Sequence, residues 1–232
     1  MNYGSLIDQS VRKYNEEKIY TTEVYEIKRD LPIVKVDENV WIASNANVVL
    51  GDVKFADVVA KEIAKKYMNE QIDTIITPEV KSVGFAYLLA KNLGIDKIVI
   101  ARKSVKAYMK DWIKVSVKSI TTQKEQDLVL DTEEAKHLGE KKCLIFDDVI
   151  STGGTINALF KLIKRVKSLK GIDTQIVGIS TIWLEGPWPW KQFFEEIKKG
   201  KLKFASVLPI FCKGDVYEEF SNLKEQAKRL YE

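Results

Sequence analysis

Short apolar runs alternate with segments of helical periodicity along most of the chain, and this alternation is the strongest constraint on the fold. The run "DTIITPE" at 73–79 is followed by a stretch in which Phe85, Leu89 and Leu93 recur at helical spacing. The run "KKCLIF" at 141–146 is likewise followed by apolar residues three or four positions apart. Strands that alternate with helices pair in parallel, and the helices cover both faces of the sheet. The sequence therefore predicts an α/β fold built on a mainly parallel, twisted sheet.

Other segments add strands and a hairpin to this core. The stretch 31–52 predicts short strands broken by turns, and 174–183 and 203–211 predict later strands. In "DWIKVSVKS", apolar and polar residues alternate, which is typical of a strand with one face in water. The polar segment Ser119–Asp127 and the run "DLVLD" then predict a hairpin with a long, mobile tip. A final helix is predicted after Asp215.

Composition excludes several classes of function. A net charge of +4, with acids and bases interleaved, does not favour a nucleic-acid partner. No apolar run approaches the roughly 20 residues of a membrane helix, and the N-terminus lacks the pattern of a signal peptide, so we expect a cytoplasmic protein without a membrane partner. The single histidine, His137, makes a Ser-His-Asp triad and a multi-histidine zinc site improbable and suits a surface or helix-end role. Cys143 and Cys212 are far apart in sequence and are expected to be buried thiols.

The stretch "CLIFDDVISTGGT" at 143–155 carries the clearest chemistry. Asp147 and Asp148 are expected at the end of a buried strand, where two carboxylates need compensating donors or a cation. A loop of small residues follows and leads into a helix, a pattern that forms an anion-binding nest; its residues are Ser151, Thr152, Gly153, Gly154 and Thr155. A sugar phosphate satisfies both parts. The alternative is a plain turn with helix-capping residues.

This stretch resembles the phosphoribosyl diphosphate (PRPP) motif of the type I phosphoribosyltransferases, closest to the adenine and xanthine members, and the resemblance extends from about Leu31 to Phe211. It implies the fold of that family, with Asp147 and Asp148 on the ribose hydroxyls and residues 151–155 on the 5′-phosphate. By the same resemblance, "PEVKSVG" and "IARKSVKAYM" supply the pyrophosphate site, with candidates Lys81, Ser82, Arg102, Lys103, Lys106 and Tyr108. For the lysines the alternative is an ordinary solvated charge.

The base site is expected beside the acids and at the end of the strand after the motif, with candidates Ile150, Trp183, Leu184 and Glu185. N-terminal strands around Trp41 and Asn47 are expected to form a hood over the base. Trp188 and Trp190 are assigned equally to that site and to packing against the C-terminal segment or a partner subunit. We expect three parts: an N-terminal extension (1–30), a phosphoribosyltransferase domain with the hood (31–212) and a C-terminal helical tail (213–232).

The family reaction displaces pyrophosphate from C1 of PRPP by a base nitrogen through an oxocarbenium-like state, which requires no protein nucleophile. The resemblance implies Mg²⁺ bound mainly through the diphosphate, a homodimer, and a hairpin tip that closes over PRPP with Lys118 and Lys124. A plain solvent-facing hairpin is the alternative. We expect a purine phosphoribosyltransferase of purine salvage, with adenine favoured. A 6-oxopurine enzyme, a pyrimidine or orotate enzyme, and a non-catalytic PRPP-sensing regulator remain open.

Overall fold

The computed structural model describes residues 2–118 and 125–232. In chain order the strands are β1 (Val11–Lys13), β2 (Ile19–Val24), β3 (Ile27–Asp37), β4 (Val40–Ala43), β5 (Thr74–Pro78), β6 (Ile98–Ala101), β7 (Trp112–Lys118), β8 (Glu125–Asp131), β9 (Lys141–Ile150), β10 (Thr174–Glu185), β11 (Leu202–Leu208) and β12 (Ile210–Cys212). The α-helices are α1 (Tyr3–Asp8), α2 (Ala46–Gly51), α3 (Val53–Lys65), α4 (Lys81–Leu93), α5 (Thr132–Ala135), α6 (Gly154–Lys170), α7 (Trp188–Gln192), α8 (Phe194–Lys198) and α9 (Gly214–Arg229).

The central sheet has five strands in the order β11-β10-β9-β5-β6, and every neighbouring pair is parallel. Helix α4 connects β5 to β6, and α6 connects β9 to β10. A parallel pair requires such a crossover, and a helix supplies it with an apolar face that covers the sheet. The predicted α/β fold with a mainly parallel sheet is confirmed.

Helices cover both faces of this sheet because neighbouring strand residues point to opposite sides. Ile75 and Leu144 are buried in one apolar cluster with residues of α3 and α4, whereas Ile76 and Ile145 are buried in the other with residues of α6. Each such side chain contributes roughly 1.5–3 kcal/mol when fully buried. Burial on both faces fixes the strand register, and it brings the carboxyl ends of β5 and β9 to the same edge.

A second sheet of five strands has the order β1-β12-β4-β3-β2 and contains both parallel and antiparallel pairs. It shares its core with α3 and α4 through residues such as Val24, Leu31 and Phe211. The expected division after residue 30 falls inside β3, and the division after residue 212 coincides with the end of β12. The three-part division stays a prediction.

The predicted strands and turns of residues 31–52 are partly wrong, because residues 46–51 form helix α2. Its two adjacent valines, Val48 and Val49, are typical of strands, but here both are buried. The helix packs against α4, whose apolar face overrides the local preference.

Strands β7 and β8 form the predicted hairpin, paired from Trp112 with Asp131 to Lys118 with Glu125. The return strand begins at Glu125, two residues before the expected Asp127. Residues 119–124 of the expected mobile tip lie outside the described residues. Closure of this tip over a ligand stays a prediction.

Within residues 2–118 and 125–232, none of the helices combines the length and the apolar composition that a membrane crossing requires.

Cys143 and Cys212 are buried free thiols, as expected. Burial raises the pKa of Cys143 to about 12 and that of Cys212 to about 11, so both remain protonated near neutral pH. His137 lies in a 3₁₀ turn next to Lys97, in the helix-end position that the sequence indicates.

Candidate active site

The two adjacent aspartates lie near the carboxyl end of β9, inside the strand rather than after it. Asp147 is in register with Thr181 of β10, and the strand continues through Val149 to Ile150. Asp147 is 7% exposed and Asp148 is 2% exposed. Two carboxyl groups buried this deeply need hydrogen-bond donors and a compensating charge, and two residues at the start of α4 supply them.

Ser82, in the first turn of α4, joins the two carboxyl groups. Its Oγ lies 2.7 Å from Oδ1 of Asp147 and 3.0 Å from Oδ1 of Asp148. The backbone N–H of Asp148 also donates to Oδ1 of Asp147 at 3.0 Å. Burial and the neighbouring charge of Asp148 raise the pKa of Asp147 to about 8, although the bond from Ser82 acts in the opposite direction. Asp147 is therefore mostly protonated near neutral pH.

Lys81 and Asn45 bind the outer oxygen of Asp148. The Lys81 ammonium lies 2.9 Å from Oδ2, and the amide of Asn45 donates to the same atom at 3.2 Å. Lys81 also donates to Oδ1 of Asn45 at 3.2 Å. The Lys81 side chain is 38% exposed, so it can leave this position at little cost in packing. It places a positive charge beside the acid pair.

Asn45 is the residue of this network that sequence reasoning missed. The sequence analysis singled out Trp41 and Asn47 in this region, but Asn47 is exposed and Trp41 stacks on Tyr14 with 4.1 Å between ring centroids. Asn45 lies at the start of α2, directly after β4, where the second sheet meets the central one. A single asparagine in a polar turn carries no signal by itself.

Residues 151–155, which we call the phosphate loop, connect β9 to α6. Gly153 has φ of +72°, in the left-handed region where a side chain would be strained, and Gly154 begins the helix. The free N–H groups and the positive end of the dipole of this 17-residue helix favour an anion here. The loop and the acid pair line one cavity of about 270 Å³, together with Pro78, Glu79, Val80, Lys81, Ser82, Lys103, Leu128, Val149, Ile150 and Ile156.

Three other residues predicted for pyrophosphate, Arg102, Lys103 and Lys106, lie around Glu79, which the sequence analysis did not identify. The backbone N–H of Lys103 donates to Glu79 at 3.0 Å, the Lys106 ammonium lies 3.3 Å from it, and Arg102 lies 3.7 Å from it. The bond from Lys103 and the charges of Lys106 and Arg102 lower the pKa of Glu79, so it is ionised at neutral pH. Lys103 lines the cavity, whereas Arg102, Lys106 and Tyr108 do not, and Tyr108 is 59% exposed.

The structure brings only part of the predicted base site to the cavity. Ile150 lines it, and so does Val149, a half-buried residue that the sequence analysis did not name. Trp183 is fully buried and stacks on Phe55 at a centroid distance of 5.6 Å, and Leu184 is buried in the core on the opposite face. Both faces of β10 are covered at this point, so alternation directs both side chains into cores. The expectation that Trp183 and Leu184 border the cavity is corrected.

Glu185, the last residue of β10, is buried next to the phosphate loop. Burial raises the pKa of Glu185 to about 7. A hydrogen bond from Ser151 and the charge of Lys81 act in the opposite direction and lower this pKa. A carboxyl group of this kind changes its charge near neutral pH.

Within residues 2–118 and 125–232, no three histidine, cysteine or carboxylate side chains form a group able to hold a metal ion.

The family model of the phosphoribosyl transferase domain matches residues 50–186, more than half of the chain, so the protein belongs to this family. Adenine phosphoribosyltransferase of Helicobacter hepaticus is 29% identical over 125 residues, which are 54% of this chain and 68% of that protein. Xanthine phosphoribosyltransferase of Bacillus cytotoxicus is 29% identical over 151 residues, 58% of this chain and 75% of that protein. The probable purine biosynthesis transcriptional regulator PurR of Streptococcus pneumoniae is 24% identical over 166 residues, 70% of this chain and 57% of that protein.

Solved structures share the fold. Adenine phosphoribosyltransferase of Thermoanaerobacter pseudethanolicus has a TM-score of 0.59 at 20% identity and covers 76% of this chain and 95% of its own. The enzyme of Giardia lamblia, solved with 9-deazaadenine, has a TM-score of 0.55 at 18% identity and covers 82% of this chain and 92% of its own. The family resemblance and the fold class expected from the sequence are confirmed.

Proposed function

We propose that this protein transfers the 5-phosphoribosyl group of PRPP to a free purine base, with adenine favoured, to give a nucleoside monophosphate and pyrophosphate. The observation that carries the proposal is the convergence of three groups on one cavity: the Asp147–Asp148 pair, the phosphate loop and the ammonium of Lys81. These groups suit the diol, the phosphate monoester and the diphosphate of PRPP, respectively.

In this proposal Asp147 and Asp148 bind the ribose hydroxyls, and the phosphate loop binds the 5′-phosphate through N–H and hydroxyl donors. Lys81 and Lys103 face the diphosphate. Lys81 is bound to Oδ2 of Asp148 without ligand, and moving to the diphosphate frees that oxygen for a ribose hydroxyl. Asn45 continues to hold the carboxylate in place, since its amide donates to the same atom.

The chemistry that these residues support is positioning and charge stabilisation. The bond from C1 to the diphosphate breaks as a base nitrogen approaches, and positive charge develops on the ribose ring. Carboxylates below the ring and cations at the leaving group stabilise that state without covalent catalysis. Asp147 and Asp148 are hard oxygen donors that suit Mg²⁺, directly or through the hydroxyls and water, and bound Mg²⁺ would neutralise charge on the departing diphosphate.

The purine preference rests on the cavity wall and on the relatives. Val149, Ile150 and Leu128 form an apolar surface suited to a flat ring. Glu185 is buried and does not line the cavity, so its expected role towards an exocyclic amine stays a prediction. Adenine is favoured because one relative bears that name and because the basic segment 101–109 resembles adenine members. A 6-oxopurine is next, supported by the xanthine relative, and a pyrimidine or orotate follows.

A PRPP-sensing regulator is the second candidate, favoured by the match to the regulator PurR over 70% of this chain. Such a protein would bind PRPP in the same cavity without transferring it. A homodimer in the cytoplasm is part of the proposal for either function. Light scattering coupled to gel filtration tests the homodimer.

The deciding experiment incubates the protein with Mg²⁺, PRPP and one base at a time: adenine, guanine, hypoxanthine, xanthine, uracil or orotate. We expect nucleotide and pyrophosphate to form with adenine, and turnover to fall by at least about 100-fold in the Asp147→Asn, Asp148→Asn double variant. Chelation with EDTA should abolish it as well. The control is Asp96→Asn, which removes an exposed carboxylate.

Two other results would change the conclusion. If no base reacts but PRPP binds in calorimetry, the regulator becomes the function. If PRPP does not bind at all, the assignment of the acid pair and the phosphate loop fails.

A further inference from the structure

The C-terminal segment holds the short helix α7 against the core. The ring of Trp188 meets the ring of Phe220 of α9 edge-on, with 5.0 Å between centroids. The hydroxyl of Tyr231 donates to the backbone carbonyl of Trp190 at 2.9 Å. Trp190 is fully buried. Of the two uses that the sequence left open for these tryptophans, packing against the C-terminal segment is the one observed.

The last residue of α7, Gln192, lies directly against Gly153 of the phosphate loop. A Cβ built on Gly153 would lie 2.5 Å from Nε2, 2.6 Å from Oε1 and 2.7 Å from Cδ of Gln192. The end of the exposed Gln192 side chain therefore occupies the space beside Gly153 where a Cβ would lie. Gly153 lines the cavity and Gln192 does not.

This contact matters because Gly153 is the most adaptable point of the loop. Its φ of +72° is accessible to glycine at no steric cost, but a glycine also has the largest backbone freedom to lose when a ligand orders the loop. A side chain that occupies the Cβ position of Gly153 limits the movement of this glycine before the ligand arrives. Pre-ordering of this kind raises affinity without adding any contact to the ligand.

We propose that Gln192 is a positioning residue for the phosphate loop, and that the C-terminal segment 214–231 influences phosphoribosyl binding through it. The inference rests on the proposed function, in which this loop binds the 5′-phosphate. Gln192 does not touch the ligand; it holds Gly153 so that the N–H groups at the start of α6 stay ordered.

The test compares two ligands by calorimetry in wild type and Gln192→Ala: ribose 5-phosphate and inorganic pyrophosphate. We expect the Kd for ribose 5-phosphate to rise about fivefold to tenfold, which is about 1 kcal/mol. The Kd for pyrophosphate should stay unchanged, because Lys81 and Lys103 lie outside the phosphate loop. The matched control is Gln175→Ala, the same residue type exposed at the opposite end of β10, which should change neither value.

A double-variant cycle tests whether the effect passes through Gly153. In Gly153→Ala the new methyl occupies the place of the Gln192 carboxamide, so the contact is lost whichever residue is changed. Adding Gln192→Ala to Gly153→Ala should therefore weaken ribose 5-phosphate binding by less than about twofold, in contrast to its effect in wild type.

Three results would overturn the inference. Unchanged ribose 5-phosphate binding in Gln192→Ala removes the role of the residue, and equal weakening of both ligands indicates a general loss of structure. Full additivity of the two substitutions excludes the route through Gly153. Failure of the wild type to bind either ligand would instead refute the proposed function. This outcome is distinct from the other three because it is seen in the wild type alone.

Discussion

Replacing Asp147 by asparagine should change how the stability of the protein depends on pH. Asp147 is buried beside Asp148, and its pKa is raised to about 8 from the ordinary value of 3.8. A carboxyl group with a higher pKa in the folded state holds more protons when folded, so the free energy of unfolding falls as the pH rises between these two values. Asparagine has the same shape and cannot ionise.

The magnitude follows from the width of this pH range. A single group in the middle of such a range changes the free energy of unfolding by up to ~1.4 kcal/mol per pH unit. From pH 5 to pH 8, wild type should therefore lose about 4 kcal/mol because of Asp147. The Asp147→Asn variant should lack this loss, and its advantage over wild type should be greatest at pH 8.

The assay is urea unfolding of the ligand-free protein at pH 5, 6, 7 and 8, followed by tryptophan fluorescence and by circular dichroism. The control is Asp96→Asn, whose pH dependence should follow that of wild type. Parallel curves for wild type and Asp147→Asn would refute the reasoning, because they would mean that Asp147 ionises as an ordinary aspartate despite its burial. A steeper fall in the variant would refute it more strongly.

Two further substitutions test the network around Asp148. Lys81→Met should raise the KM for PRPP at least about tenfold and lower the free energy of unfolding by ~1–3 kcal/mol, because Asp148 loses its counter-charge. The control is Lys91→Met, which changes an exposed lysine of the same helix. Equal effects of the two substitutions would contradict the role of Lys81. Asn45→Ala should raise the KM for PRPP about fivefold, by about 1 kcal/mol of lost hydrogen bonding, while the KM for the base stays constant. An increase confined to the base, measured by steady-state kinetics, would instead make Asn45 part of the base site.

The parts of the site that the sequence predicts are those that lie close together in the chain. Asp147, Asp148 and the phosphate loop follow one another within nine residues of a single strand-loop-helix unit, so local pattern is enough to find them. The parallel sheet is predictable for the same reason, since each strand-helix pair is a local signal. Ser82 and Lys81 lie in an earlier strand-helix unit, β5 and α4, and the family resemblance is what singles them out.

The remaining features depend on contacts between distant segments. Asn45 is 103 positions from Asp148, and Gln192 reaches Gly153 from the separate helix α7. The spacing of residues in the sequence predicts neither contact. Trp183 illustrates the converse problem: an aromatic residue at the end of the expected strand suits a base site, but helix and sheet cover both faces of β10 there. The covering elements decide its place, and the residue type does not.

The position of β12 has a consequence for how the chain reaches this structure. Its three residues stand between β1 and β4, pairing Val11 with Ile210 and Ile42 with the same residue on the other side. During synthesis, β5, β6 and β9 leave the ribosome well before β12 does, so three neighbouring strands of the central sheet can pair while the second sheet still lacks one of its inner strands. Contacts of such long range close late and slowly. The second sheet is therefore completed after these strands of the central sheet have paired, and a nascent chain that stops before Ile210 carries the acid pair and the phosphate loop but lacks an inner strand of the second sheet.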